Sequence, residues 1–375
     1  MESYVYIEGK KYKRGYTTGT CAVAGATAAM KILLGEVDIS EIEVVTPKGI
    51  KLTLPLENIE IGNDYAIVSV RKDGGDDIDV THGLEIRTKV TWKSEKGIKI
   101  DGGVGVGRVT QRGLNIPVGE AAINETPRRC IAESLELLLE NESRGVLVEV
   151  SVPEGEEAAK KTFNPRLGIR GGISIIGTSG IVEPMSEEGW KNSLLAELKM
   201  RREQGAKEVF LVPGNHGERF AKEEGIDERF VIRTSNFIGF MLREAALLGF
   251  EKVILAGHVG KLVKVASGIF HTHSHIADAR METLMAHLAL MDAPVELQRE
   301  VYSSLTTEAA EESIVKYGFE EVYKHVAESA AKRARQHVRD EMQVEVILFS
   351  MDGRILGASS NAFEMVKNWR NTIND

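Results

Sequence analysis

The chain has 375 residues, 42% of them hydrophobic and 27% charged, and a formal net charge of −9. That length suits two globular domains with a sizeable core. The charge excludes a global field for nucleic acid, and no apolar run is long enough to span a bilayer.

The first residues, MESYVYIEGKKYKRGY, lack the apolar core of a secretory signal. Cys21 and Cys130 belong to no CxxC pair, which argues against a zinc ribbon or a disulfide framework. Two free thiols fit a reducing cytoplasm, the expected location.

The first half reads as α+β. CAVAGATAAMKILLG (21–35) predicts a helix of small residues closed by Gly35, packed very near a neighbour. IEVVTPKGIKLTLPL (42–56) predicts a hairpin around Pro47-Lys48-Gly49, and 65–72 and 84–92 alternate as strands. A helix over 126–140 and a strand over 144–155 follow. The glycine-rich stretch NPRLGIRGGISIIGTSGIVEPMS (164–186) reads as a bridge, which sets domains of 1–180 and 181–375.

The second half changes rhythm. Strands 208–213, 229–234 and 252–257 alternate with helices 187–203 and 236–249. That alternation predicts a parallel sheet with helices on its faces, a Rossmann-like α/β domain. Helices dominate 279–338, and 343–359 reads as an edge hairpin around Asp352-Gly353.

Several stretches carry candidate chemistry. FHTHSHIADARME (270–282) alternates His271, His273 and His275 and adds Asp278 and Glu282. On a strand the three histidines share a face; on a helix His271, His275, Asp278 and Glu282 do. Either geometry suits a metal, but the zinc-protease spacing is absent because Thr272 follows His271. The other reading is a polar loop entering a helix, with Asp278 paired to Arg280.

KDGGDDIDVTHG (72–83) gathers Asp73, Asp76, Asp77 and Asp79 beside His82. It is either turn chemistry or a carboxylate crowd that raises one member's pKa and makes a proton acceptor. DGGVGVGR (101–108) resembles a nucleotide loop, yet an extended segment follows it where a helix is required. GYTTGT (15–20) opens the first helix with three threonines and Gly19, beside Arg14, and suits an anion. Arg108, Arg112, Arg128, Arg129, Arg166 and Arg170 sit near glycines or prolines, where bidentate recognition of carboxylates is feasible. VPGNHG (212–217) and AGHVGK (256–261) each follow a strand, the usual ligand position in a parallel sheet.

RGYTTGTCAVAGATAA, KDGGDDIDVTHG, GGVGVGRVTQRGLNIPVGEAAINETPRR, GGISIIGTSGIVEPMS and GHVGKLVKVASGIFHTHSHIADARME stand in one order. In that order they resemble the CbiD family, the cobalt-precorrin-5B C1-methyltransferases of the anaerobic route to cobalamin. The resemblance runs from about residue 14 to 357; Cys130 stands where the family often has Met. It implies methyl transfer from S-adenosylmethionine (SAM) to C1 of a cobalt tetrapyrrole, with the cobalt arriving inside the substrate and no metal bound by the protein. A rival reading is a metal-dependent hydrolase built on His271, His273, His275, Asp76 and Asp77, or a tetrapyrrole-binding protein without catalysis.

With that implication, SAM is expected at Gly214, Asn215, Gly217, Gly257, Gly260 and Lys261, with the macrocycle between the domains. The macrocycle's acid side chains are expected at Arg14, Thr17, Thr18, Gly19, Thr20, Arg108, Arg128 and Arg129. Asp76, Asp77, His82 and His273 are the candidates for moving a proton. A homo-oligomer remains open, and neither nucleic acid nor membrane is expected as a partner.

Overall fold

The computed structural model describes residues 4–370 except 8, 37 and 368. The fold is mixed α/β, in two compact units that divide between Gly189 and Trp190.

In the first unit the helix Thr18–Leu33 begins three residues earlier than its apolar run suggests, because Thr17 caps it. Its small residues let it lie almost on the sheet: a Cβ on Gly25 would sit 2.7 Å from Thr88 Oγ1. The sheet has five strands in the order Glu57–Ile61, Tyr65–Arg71, Glu85–Lys93, Gly145–Ser151, Ile98–Gly102. Tyr65–Arg71, Gly145–Ser151 and Ile98–Gly102 run in one direction, as their pairings require. The loops after these three strands therefore leave from the same end of the sheet.

The stretch 164–186 is not a bridge, which corrects the expectation. Ile169–Arg170 pairs with Arg108–Val109, Gly172–Ile173 with Gly105–Val106, and Ile181–Val182 with Gly15–Tyr16. Its glycines serve backbone-to-backbone packing: a Cβ on Gly172 would overlap the carbonyl of Gly105. The last pairing keeps Ile181–Val182 in the first unit, and the division lies between Gly189 and Trp190 rather than at residue 180.

Helix Glu187–Glu203 runs across the division and leads into the second unit. Its sheet has the order Val231–Arg233, Glu208–Val212, Lys252–His258, Gln343–Phe349, Ile355–Ala358. The first four strands are parallel, and only Ile355–Ala358 is antiparallel. Gln343–Phe349 is thus an inner strand rather than an edge. Phe210, Val212, Ile254, Ala256, Ile347 and Phe349 pack with Phe220, Met365 and Trp369 on one face. Helices Val259–Ala266 and Val322–His337 meet the sheet as well. The central strands are buried on both sides, as continuous apolar runs dictate. No described helix is long and apolar enough to cross a membrane.

Candidate functional site

In the second unit the chain leaves strand Glu208–Val212 toward Val231–Arg233, then returns on the other side as Lys252–His258. The carboxyl ends of Glu208–Val212 and Lys252–His258 flank the point where strand order reverses, the crevice in which parallel sheets bind ligands. The two expected loops meet there. Gly214, at φ 107°, starts helix Asn215–Glu223, and a Cβ on Gly217 would reach 2.5 Å from Val212 Cβ. A Cβ on Gly257 would lie 3.0 Å from Pro213 of the neighbouring loop. Lys261 Nζ donates to Asn236 Oδ1 at 2.9 Å and reaches Pro213 O at 3.4 Å. Burial, with nearby Lys264, lowers the Lys261 ammonium pKa, which favours an anionic partner there.

Three residues of this crevice escaped sequence reasoning. Asn236 holds Lys261, and it follows Ser235, a non-glycine residue at φ 51°. The string Thr234-Ser235-Asn236 after an apolar strand was the available signal. His258 caps helix Val259–Ala266, its Nδ1 accepting from Gly260 N at 3.2 Å, with Nε2 3.0 Å from Glu308 Oε1. Burial lowers its pKa although Glu308 opposes the shift.

The histidine stretch is neither strand nor helix, which corrects both geometries considered for it. Residues 273–277 form a turn, with Ile276 N donating to His273 O at 3.1 Å. The His271 ring lies edge-on to Phe237, whereas His273 and His275 are exposed. His273 Nδ1 accepts from His275 N at 3.3 Å. A neutral ring accepting at Nδ1 carries its proton at Nε2, so His273 presents a donor. Asp278 is engaged with Arg280 at 2.7 Å and 2.8 Å, which holds its carboxyl down at about 2.

What fixes the stretch is its backbone. The buried Lys264 donates to Ala277 O at 2.8 Å and Thr272 O at 3.4 Å, and Thr272 N donates to Asn236 O at 3.0 Å. The loop is therefore stitched to the same strand-end crevice. Among the described residues no three His, Cys, Asp or Glu side chains gather to hold a metal ion.

In the first unit the aspartates disperse instead of crowding. Asp73 pairs with Lys13 at 2.6 Å; Asp76 accepts from Lys13 N at 2.5 Å; Asp77 accepts from Met185 N at 2.9 Å. Asp79 pairs with buried Lys72 and accepts from Thr81 N at 2.7 Å. The expected raised carboxyl is corrected at two of them. Burial pushes Asp73 and Asp79 upward, but Lys13 and Lys72 with backbone donors outweigh it, and both lie below the ordinary 3.8. His82 Nδ1 accepts from Gly74 N at 3.0 Å, so its neutral ring also presents Nε2–H.

The helix start at Thr17–Thr20 is closed by the chain itself, a correction to the open anion cradle. Thr17 Oγ1 accepts from Thr20 N at 3.2 Å, and Thr20 Oγ1 donates to Gly180 O at 2.7 Å. Gly19 N donates to Ile176 O at 2.9 Å, and Thr18 Oγ1 accepts from Ile176 N at 2.9 Å. A Cβ on Gly19 would meet Pro127 at 2.7 Å. Cys21, next in the helix, is wholly buried, and burial raises its thiol to about 12.

The arginines divide. Arg128 clamps three carbonyls, Ile123, Ile100 and Ala121, at 2.9 to 3.1 Å, so its fork is fully used. Arg129 pairs with Glu133 one helical turn away. Arg108 pairs with Asp101 at 2.9 Å and donates to Gly102 O at 2.8 Å. Arg170 stands directly opposite Arg108 on the paired strands and is exposed. Arg14 is half-buried at the start of the GYTTGT segment, and Arg112 is exposed in the loop beyond Thr110.

Backbone hydrogen bonds link these segments at one end of the sheet. The loop 72–83 bonds to the chain entering helix Thr18–Leu33, and residues 172–180 bond to that helix start, to the glycines at 102–107 and to the start of helix Glu125–Leu138. Tyr16 N donates to Asp73 O at 2.8 Å, Asn124 N to Ile175 O at 3.0 Å, and Gly107 N to Ile173 O at 2.8 Å.

The chain is similar to known proteins along most of its length. The sequence profile described as CbiD matches residues 5–184, and that described as CbiD, C-terminal domain, matches residues 271–360. A protein of Citrobacter koseri is 51% identical over 371 residues, covering 98% of both chains. One of Photorhabdus laumondii is 52% identical over 359 residues and 95% of both. One of Clostridioides difficile is 45% identical over 406 residues, covering 98% of this chain and 99% of its own. Each of the three is named cobalt-precorrin-5B C(1)-methyltransferase. The crystal structure of the cobalamin biosynthesis protein CbiD from Archaeoglobus fulgidus is 29% identical, covering 75% of this chain and 88% of its own, with a TM-score of 0.40. The hydrolase and non-catalytic readings are corrected by the relatives' names.

Proposed function

The chain belongs to the CbiD family, and on that premise we propose that it transfers a methyl group from SAM to C1 of cobalt-precorrin-5B in cobalamin biosynthesis. The observation that carries this is about 50% identity to curated methyltransferases over nearly the whole chain. The ring carbon attacks the methyl carbon, the sulfonium leaves as a neutral thioether, and loss of one ring proton restores the charge. What the protein must supply is alignment, exclusion of water and a place for that proton.

The second unit is read as Rossmann-like and as the SAM unit. Supporting this are the strand-order reversal and the meeting of Gly214, Asn215 and Gly217 with Gly257, Gly260 and Lys261 at it. Lys261, desolvated and held by Asn236, is assigned to the donor's carboxylate. Asp76 and Asp77 are assigned as proton acceptors, and His82 and His273 as hydrogen-bond donors through Nε2. Arg14, Arg108, Arg112 and Arg170 are assigned to the acid side chains. A cytoplasmic location belongs to this reading, in keeping with two free thiols.

Anaerobic incubation with cobalt-precorrin-5B and methyl-labelled SAM tests the reaction. Mass spectrometry is expected to find one labelled methyl per macrocycle and an equal amount of S-adenosylhomocysteine. A tetrapyrrole that carries no label rejects the reading. The site assignment is tested separately by Lys261→Met, which is expected to weaken SAM binding about tenfold or more in calorimetry, as loss of a charged hydrogen bond does. Unchanged binding would move SAM away from this crevice.

A further inference from the structure

The end of the first unit's sheet where the motif loops converge also carries apolar side chains that face outward. Ile78, at the tip of the aspartate loop, is 96% exposed; Val104, in the glycine loop, 75%; Ile176, between the start of helix Thr18–Leu33 and Gly177, 50%. Single exposed apolar residues need no explanation, but three on three joined loops at one end of a sheet do.

Their backbones are held. Val104 O accepts from Val152 N at 2.8 Å, and Ile176 is bonded through both N and O to the helix start. Ile78 lies between Asp77, tied to Met185 N, and Asp79, tied to Lys72. Met185 itself is 56% exposed and sits at φ 55°, a left-handed conformation that a non-glycine residue adopts at a cost. Met185 N donates to Asp77, the residue before Ile78, so a fourth exposed apolar residue is tied to the same loop.

Ile78 and Val104 lie in the loops that follow Tyr65–Arg71 and Ile98–Gly102, strands separated by two others and so about 14 Å apart at the usual strand spacing. That span is comparable with a tetrapyrrole. Beside Val104, Arg108 donates to Gly102 O and faces Arg170 across the strand pair. Arg108 already pairs with Asp101 at 2.9 Å, and the exposed Arg170 opposite it adds a second guanidinium through which an anion can be held. Exposed apolar side chains on tied loops, with two arginines near one of them, suit a planar macrocycle with acid side chains on its rim.

We propose that Ile78, Val104, Ile176 and Met185 form the platform on which one face of the cobalt tetrapyrrole rests, with Arg108 and Arg170 taking a rim carboxylate. This rests on the methyltransferase reading and names the substrate surface within it. The test is an anaerobic absorbance titration with cobalt-precorrin-5B of the wild type and of Ile78→Ser/Val104→Ser/Ile176→Ser. Because all three side chains are exposed, the triple variant is expected to melt as the wild type does. Its Kd for the macrocycle is expected to rise about tenfold or more, with the Kd for SAM unchanged. Ile78→Leu/Val104→Ile, which keeps the apolar surface, is expected to bind normally, as is the distant control Leu137→Ser. A wild type that methylates while the triple variant binds equally well overturns the platform alone. A shift in oligomeric state with unchanged macrocycle binding overturns it in favour of a protein contact. A wild type that neither binds nor methylates overturns both the platform and the reading beneath it.

Discussion

Asp79→Ala is expected to destabilise the protein by about 3–5 kcal/mol, the usual result of leaving a buried charge without its partner. Lys72, 2% exposed in its side chain, has Asp79 as its ion-pair partner. The double variant Lys72→Met/Asp79→Leu is expected to recover most of that loss, since an apolar pair of similar volume avoids desolvating two ions. Urea unfolding measures both. If Asp79→Ala stays within about 0.5 kcal/mol of the wild type, the ammonium must reach water by another route.

The same pair predicts a pH dependence. Asp79 is held below the ordinary 3.8, because Lys72 and the Thr81 donors outweigh burial. As pH falls, the unfolded chain takes up the proton first, which favours unfolding. The pair's contribution is therefore complete above about pH 4 and is lost as pH drops through the lower folded value. In Asp79→Ala that acid-side slope is expected to become shallower, with Asp73 still contributing in the same direction.

Gly105→Ala is expected to be at least as severe, a loss of about 4 kcal/mol or more. The residue has φ 72°, and an added Cβ would overlap Val152 O and come within 3.1 Å of Gly155 N. Both neighbours are backbone atoms that cannot move aside. Gly171→Ala is the control: its φ is 81°, yet nothing lies within 4 Å of an added Cβ. It is expected to lose only about 1–2 kcal/mol, the conformational part alone. Should the two variants unfold at the same urea concentration, close packing at Gly105 is not what makes glycine necessary there. With a typical domain stability of about 5–15 kcal/mol, Gly105→Ala would leave the first unit near its folding threshold.

The secondary structure was legible where periodicity is strong. Helix Thr18–Leu33, the hairpin strands Glu41–Val45 and Lys51–Pro55, and the parallel strands of the second unit lie close to where their patterns put them. The strands Glu57–Ile61 and Ile98–Gly102 were not legible. One is an edge strand with most residues exposed, and the other mixes glycine and aspartate, so neither alternates cleanly.

The same distinction runs through the candidate site. The glycine loops after Glu208–Val212 and Lys252–His258 were visible because a strand followed by glycine has a local meaning. Asn236, His258 and Glu308 were not, because each matters through a partner distant in the chain: Lys261 for Asn236, and His258 and Glu308 for each other. The aspartate cluster misled for the opposite reason. Four neighbours in sequence diverge in space when each finds its own donor, here Lys13 side chain, Lys13 backbone, Met185 and Lys72.

By itself, the sequence determined the class of each half, the family and hence the reaction, since long motifs in fixed order are local information. Only the tertiary structure decided which groups remain available for chemistry. Hydrogen bonds and ion pairs are made with whatever the fold brings near, so the threonines of the first helix and Arg128 became structural. For the same reason two unremarkable isoleucines, a valine and a methionine came to be exposed on the motif loops.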